Sequence, residues 1–170
     1  MNLYLIDTNQ SLVDAWLDAF SDLDVHVSCG NLLETAVGTV VSPANSSGFM
    51  DGGIDAAYLD FFGESIQHRV RNAIASRPDG TLPVGASLVI ETGHTSITSM
   101  IVAPSMVMPE PVPKTHRYRA FRAALRVVDD PLVADTVYCP SIGTGVGCVD
   151  PVDAASEMAE AYRDWCAAGG

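Results

Sequence analysis

Short, largely apolar runs alternate along this chain with longer stretches whose apolar residues recur at helical spacing. That alternation is the strongest constraint on the fold. Leu3-Tyr4-Leu5-Ile6, Val25-His26-Val27, Thr39-Val40-Val41, Ser87 to Glu91, Ile97 to Val102 and Thr136-Val137-Tyr138-Cys139 predict six strands. Between them, Leu12, Val13, Trp16, Leu17 and Phe20 fall on one helical face. So do Ile54, Ala57, Tyr58 and Phe61, and then Ile66, Val70, Ala73 and Ile74, with a break near Gly63. Further helices are predicted over residues 118–128 and from Pro151 to Trp165, the last opened by Asp150 as cap and Pro151 in the first turn. Strands apolar on both faces need cover on both faces, so the chain is expected to be α/β, a three-layer α/β/α arrangement around a mixed sheet of about six strands.

Two glycine-rich loops carry the functional reading. The first, Ser42-Pro43-Ala44-Asn45-Ser46-Ser47-Gly48-Phe49-Met50-Asp51-Gly52-Gly53-Ile54-Asp55, leaves a buried strand and opens a helix. The second, Ser141-Ile142-Gly143-Thr144-Gly145-Val146-Gly147-Cys148, stands between the strand ending at Cys139 and the helix from Pro151. Glycines let backbone approach a ligand closely, and a helix N-terminus directs N–H groups at an anion. In an α/β sheet such loops lie beyond the carboxyl ends of the strands, where ligands bind. Two of them suggest a pyrophosphate gripped between. The second loop is neither the dinucleotide fingerprint, for which it lies too near the C-terminus, nor a P-loop, since no Gly-Lys-Ser/Thr follows. Read alone, its glycines could equally serve tight turns.

Charge narrows the ligand. Twenty-one acidic residues against nine basic ones give a net charge of −12, which argues against extended nucleic-acid binding. A small anion held by main-chain N–H groups needs no Lys or Arg and stays admissible. No apolar run of about 18 residues occurs, and the first residues lack the pattern of a signal peptide, so the expectation is a soluble, cytoplasmic protein without membrane contact. At 170 residues and 48% apolar, one domain over residues 1–170 is expected. Cys29, Cys139, Cys148 and Cys166 have neither zinc-ribbon nor disulfide-framework spacing, and His26, His68, His94 and His116 show no ligand pattern. No metal site and no cofactor are expected. Cys29 and Cys139 read as core residues at strand ends.

The first loop resembles the macrodomain signature, Asn-Ala-Ala-Asn followed by Gly-Gly-Gly-Val/Ile, and most of all its form in MacroD-type hydrolases, where an Asp comes next. Asn45, Ser46, Ser47, Gly52, Gly53, Ile54 and Asp55 match without a gap, while Ser42 stands where the signature has its first Asn. Residues 143–148 resemble the family's Ser-Thr/Ala-Gly-Ile-Phe/Tyr-Gly loop, and Val84-Gly85-Ala86 through Thr92-Gly93 resemble its Gly-Glu-Ala strand and turn.

The resemblance implies an ADP-ribose site. Asn31 takes the place of the Asp that accepts a hydrogen bond from the adenine amino group, and keeps an acceptor oxygen without the charge; Leu32 and Ala44 would adjoin the ligand. Gly52, Gly53 and Ile54 would line the diphosphate and distal ribose, with Gly143, Thr144, Gly145, Val146 and Gly147 closing the other side. Gly147 replaces an aromatic residue that packs on the distal ribose in many members. Asn45 matches the ribose-binding Asn, and Asp55 the Asp thought to activate water at the anomeric carbon. Asp51 replaces a glycine and adds a second carboxylate, and two nearby carboxylates would raise one pKa. The plainer readings are that Asp55 favours the helix dipole and that Asp51 caps the helix.

Elsewhere the sequence offers less. Ser46 and Ser47 lack a His-Asp partnership, His94 reads as solvated, and Arg117, Arg119, Arg122 and Arg126 read as a solvated basic face. The four prolines of residues 104–113 predict an exposed loop. The implied function is binding of ADP-ribose or an ADP-ribosylated substrate, with hydrolysis of mono-ADP-ribosyl esters. Removal of phosphate from ADP-ribose 1″-phosphate, and a non-catalytic reader or sponge, are the alternatives.

Overall fold

A computed structural model describes residues 1–108, 113, 115–144 and 149–170. Twelve elements follow in order: β1 (Asn2–Asp7), α1 (Gln10–Ala19), β2 (His26–Cys29), α2 (Leu32–Thr35), β3 (Gly38–Ser42), α3 (Gly53–Phe62), α4 (Glu64–Ala75), β4 (Leu88–Glu91), β5 (Ile97–Val102), α5 (Thr115–Leu125), β6 (Thr136–Cys139) and α6 (Pro151–Ala167). The strands form one sheet ordered β2-β1-β6-β3-β5-β4. Every pairing is parallel except β4 with β5. The mixed six-stranded sheet and the three layers expected from the alternating pattern are both present.

Helices cover both faces. Leu12, Val13 and Trp16 of α1, Phe121, Ala124 and Leu125 of α5, and Ala154, Met158 and Ala161 of α6 pack on one side against Leu3, Leu5, Val137 and Cys139. Leu32 of α2, Tyr58 of α3, and Ile66, Val70 and Ile74 of α4 pack on the other against Ile6, Val40, Met100 and Val102. Each large apolar side chain so buried stabilises the fold by roughly 1.5–3 kcal/mol before its ordering entropy is subtracted. Among the described residues no helix is long and apolar enough to cross a membrane.

Boundaries follow local chemistry. Asn9 caps α1 by accepting from Ser11 N–H at 3.1 Å, and Asp150 caps α6 by accepting from Val152 N–H at 2.9 Å, with Pro151 in the first turn as expected. Gly63, at φ +79°, ends α3 and starts α4, which is the break the periodicity placed there.

Several expectations are corrected. The one-turn helix α2 has no apolar period to announce it; it exists because Asn31 accepts from Leu33 N–H at 3.1 Å. Helix α5 begins at Thr115 and ends at Leu125 rather than spanning residues 118–128. Strand β2 is an edge strand with little burial, so Cys29 is exposed rather than core, whereas Cys139 is buried. Arg117 does not belong to a solvated basic face: it is 1% exposed and donates to Glu157 Oε1 at 2.7 Å. Nor is His94 freely solvated. It is half-buried against Phe61 and Phe62, and its Nδ1 accepts from the N–H groups of Ser96 and Ile97.

Candidate functional site

Because five strands run parallel, their carboxyl ends share one edge of the sheet, and a cleft of about 700 Å³ opens there. Each of these strands sends its following loop into the wall. Asp7, Thr8 and Asn9 come from the end of β1, Asn31 follows β2, and residues 43–45, 49 and 51–55 follow β3. Ser105 and Met106 follow β5, and Ser141, Gly143 and Thr144 follow β6. Among the described lining residues there is no Lys, Arg or His. A smaller hollow of about 70 Å³ shares Asp7, Thr8, Asn31 and Ile54 with the cleft.

The first loop is fixed in place on several sides. Ser46 N–H donates to Met106 O at 3.0 Å and Ser105 N–H to Ala44 O at 3.0 Å, zipping the loop to the segment after β5. Met50 N–H donates to Gln67 Oε1 at 2.7 Å, tying it to α4. Gly48, at φ +72°, lies so close to Val70 and Ile74 that an added Cβ would come within 2.8 Å of each. Gly53 also adopts a positive φ, +55°, in a place with open space around it, so there the backbone angle rather than the room selects glycine.

Asn45 is 7% exposed and its side chain serves the loop itself. Its Oδ1 accepts from Ser47 N–H at 3.1 Å and Phe49 N–H at 3.2 Å, while Nδ2 donates to Phe49 O at 2.7 Å. One Nδ2 hydrogen is left over by this count.

Asp55 sits in the first turn of α3, where the helix dipole favours its charge, yet it is buried. Ser42 Oγ donates to its Oδ1 at 2.6 Å. Burial pushes the carboxyl up to about 7; the Ser42 hydrogen bond opposes the shift, and the Asp51 charge adds to it. A raised pKa was anticipated from the two carboxylates, but desolvation is the larger cause and Asp51 the lesser. Asp51 is exposed and lines the cleft, and the cap position of α3 belongs to Gly52, with no side chain accepting there. Beneath Asp55, Tyr58 donates its hydroxyl to Val41 O at 3.0 Å, and burial followed by the Asp55 charge holds that phenol well above its usual pKa. Such a group stays a proton donor throughout the neutral range.

The remaining anticipated residues divide. Ala44, Gly52, Gly53, Ile54, Gly143 and Thr144 line the cleft with Asn45, Asp51 and Asp55. Asn31 lines it too, although its Oδ1 already accepts from Leu33 N–H and its Nδ2 donates to Glu34 Oε1 at 3.1 Å. Leu32 is 3% exposed and reaches only the smaller hollow. Gly145, Val146 and Gly147 lie outside the described residues, as do residues 109–112 of the proline-rich segment, whose start at Pro104, Ser105 and Met106 is buried rather than exposed. Asp7, Phe49, Ser105, Met106 and Ser141 escaped the sequence reading. Asp7 had a usable signal, since it ends the first strand on the ligand edge; its carboxylate accepts from Asn9 N–H at 2.9 Å and Ser141 N–H at 3.4 Å, joining β1 to the second loop.

The chain is thus an α/β/α domain with a cleft at the carboxyl edge of its sheet, walled by main-chain loops and carboxylates, with no cationic side chain among the described lining residues. The Macro domain family profile matches residues 41–158, and the chain belongs to that family. An uncharacterized protein of Aquifex aeolicus is 34% identical over 142 residues, covering 83% of this chain and 82% of its own. Another, from Aeropyrum pernix, is 32% identical over 136 residues, covering 79% and 68%. Among solved structures, the macrodomain of Mycobacterium tuberculosis DarG superposes with a TM-score of 0.68 at 21% identity, over 81% of this chain and 88% of that one. The Oceanobacillus iheyensis macrodomain with ADP gives 0.67 at 20% identity, over 79% and 72%. At that identity the likeness is one of fold.

Proposed function

We propose that residues 1–170 form one cytoplasmic macrodomain that binds ADP-ribose in the cleft and hydrolyses mono-ADP-ribosyl esters. The observation that carries this reading is Asp55: a buried carboxyl, pushed up to about 7, on a cleft wall made of main-chain loops. The ligands of the Oceanobacillus structures, ADP in one and ADPR in a mutant, support the choice of nucleotide. In this reading the adenine lies toward Asn31 and Leu32, with the carboxylate of Asp7 beside Asn31 as a second acceptor for the amino group. The diphosphate rests on the N–H groups of Gly52, Gly53, Ile54 and the second loop, from Gly143 and Thr144 through Gly145, Val146 and Gly147. The distal ribose lies near Asn45 and Asp55.

The chemistry follows from position and proton affinity. Ionised Asp55 accepts a proton from water as the water oxygen bonds to the anomeric carbon. The bond from that carbon to the ester oxygen breaks, and the acidic side chain leaves as a carboxylate. The carbon passes through an oxocarbenium-like state, which a nearby negative charge stabilises. Asp51 supplies further negative charge. A general base is most useful with a pKa near the working pH, where Asp55 lies.

A reader that binds without cleaving is the second reading, favoured by the engagement of Asn45 with its own loop rather than with the cleft. One assay separates them. The protein and its Asp55→Ala and Asn45→Ala variants are incubated with auto-modified mono-ADP-ribosylated protein and with ADP-ribose 1″-phosphate. Release of ADP-ribose from the modified protein that disappears in Asp55→Ala, with ADP-ribose binding retained, supports the hydrolase, whereas release from the 1″-phosphate alone supports a phosphatase. Binding without release by the unaltered chain would leave the reader in its place.

A further inference from the structure

In the reading above the terminal sugar lies beside the first loop, and that loop presents an aromatic ring to the cleft. Phe49 lines the cleft beside Asp51 and Asn45, and it is 44% exposed, an unusual setting for a phenyl ring. It is nevertheless held at three points. Its N–H donates to Asn45 Oδ1, its carbonyl accepts from Asn45 Nδ2, and the Arg71 guanidinium lies over its ring at 4.2 Å from the centroid. Asn45, which also accepts from Ser47 N–H, thus fixes the main chain of Phe49 with two of its three hydrogen bonds.

Holding a ring in this way costs side-chain freedom with little apolar burial in return, since nearly half the residue faces solvent. A ligand that covered the open part of the ring would recover that burial. Arg71 stands over one face of the ring, so a sugar would pack its C–H groups on the other. Arg71 does not line the cleft, so it holds the ring rather than touching the ligand.

We propose that Phe49 is the aromatic wall for the distal ribose, packing on the sugar with the face that Arg71 leaves uncovered and so selecting ADP-ribose over nucleotides that stop at the β-phosphate. This rests on the reading of the cleft as an ADP-ribose site, and names the residue that reads the terminal sugar. Asn45 and Arg71 become positioning residues for the ring.

The test compares two ligands that differ only by that sugar. ADP-ribose and ADP are titrated calorimetrically into the whole chain and into Phe49→Ala, Phe49→Tyr and Arg71→Met. Phe49→Ala is expected to weaken ADP-ribose by about tenfold and leave ADP within about twofold, erasing most of the preference. Phe49→Tyr keeps the preference, and Arg71→Met loses part of it. The ADP arm also reports whether the loop survives the substitution, since a collapsed loop would weaken both ligands together. Equal weakening of both, or unchanged ADP-ribose affinity in Phe49→Ala, overturns the proposal while leaving the ADP-ribose reading intact. An unaltered chain that binds ADP-ribose no better than ADP removes the selection itself, and one that binds neither removes the reading beneath it.

Discussion

At the scale of residues, the site is organised around one carboxyl whose proton is held by its surroundings. Asp55 titrates at about 7 in the fold against an ordinary value of 3.8. Between those two values the folded chain keeps a proton that the unfolded chain releases, so this group's contribution to stability falls as pH rises from about 4 to about 7. The three-unit difference corresponds to roughly 4 kcal/mol as an upper bound. Asp55→Asn, which preserves the acceptor for Ser42, is therefore expected to match the unaltered chain near pH 4 and to exceed it in urea midpoint above pH 7. Parallel stability profiles would contradict this. Neighbours should move the titration in opposite directions. Ser42→Ala removes a hydrogen bond that favours the ionised form and shifts the inflection upward; Asp51→Asn removes a like charge and shifts it downward. Carbon-detected NMR of the Asp55 carboxyl measures both without requiring turnover. Where ionised Asp55 is the base, the rate of hydrolysis rises through the same inflection.

Elements set where that carboxyl can be. Helix α3 starts where it does because Gly53, at φ +55°, lets the chain turn from the loop into the helix, which brings Asp55 back to Ser42 at the end of β3. The loop before it depends on Gly48, wedged over Val70 and Ile74 of α4, both nearly fully buried and so unable to give way. Gly48→Ala adds the left-handed backbone penalty to overpacking and is expected to cost about 2–4 kcal/mol in denaturant unfolding. ADP-ribose affinity should fall with it. A change below about 0.5 kcal/mol would mean that the loop is not seated on α4 as described. This contrast explains what could be read in advance. The loop's glycines and the strand–loop–helix setting were visible in the order of residues, as was the break at Gly63. The seating on α4 was not, because it joins residues 48 and 74 across the fold. Phe49 was missed for a related reason: its value lies in standing exposed beside the cleft, and sequence alone marks a phenylalanine as core. Arg117 erred the other way, a charge read as surface that the packing of α5 against α6 encloses.

The whole molecule is acidic, with a net charge of −12, whereas the proposed ligand is an anion. With no Lys, Arg or His among the described lining residues, long-range attraction cannot supply the affinity; short-range hydrogen bonds from main-chain N–H groups must. Raising salt between about 0.05 and 0.3 M should then leave ADP-ribose binding unchanged or slightly tighter, because screening weakens the general repulsion. A severalfold loss of affinity over that range would point instead to cationic side chains at the phosphates. The parallel strands explain why so much of this site gathers on one edge: a single direction of travel delivers five loops to the same place.

The most direct measurement is a crystal structure of the chain with ADP-ribose bound. The account requires the diphosphate within hydrogen-bond distance of main-chain N–H groups from residues 52–54 and 143–144, with the terminal sugar between Phe49 and Asp55. Nucleotide bound elsewhere, or phosphates held by lysine or arginine side chains with the first loop turned away, would contradict it.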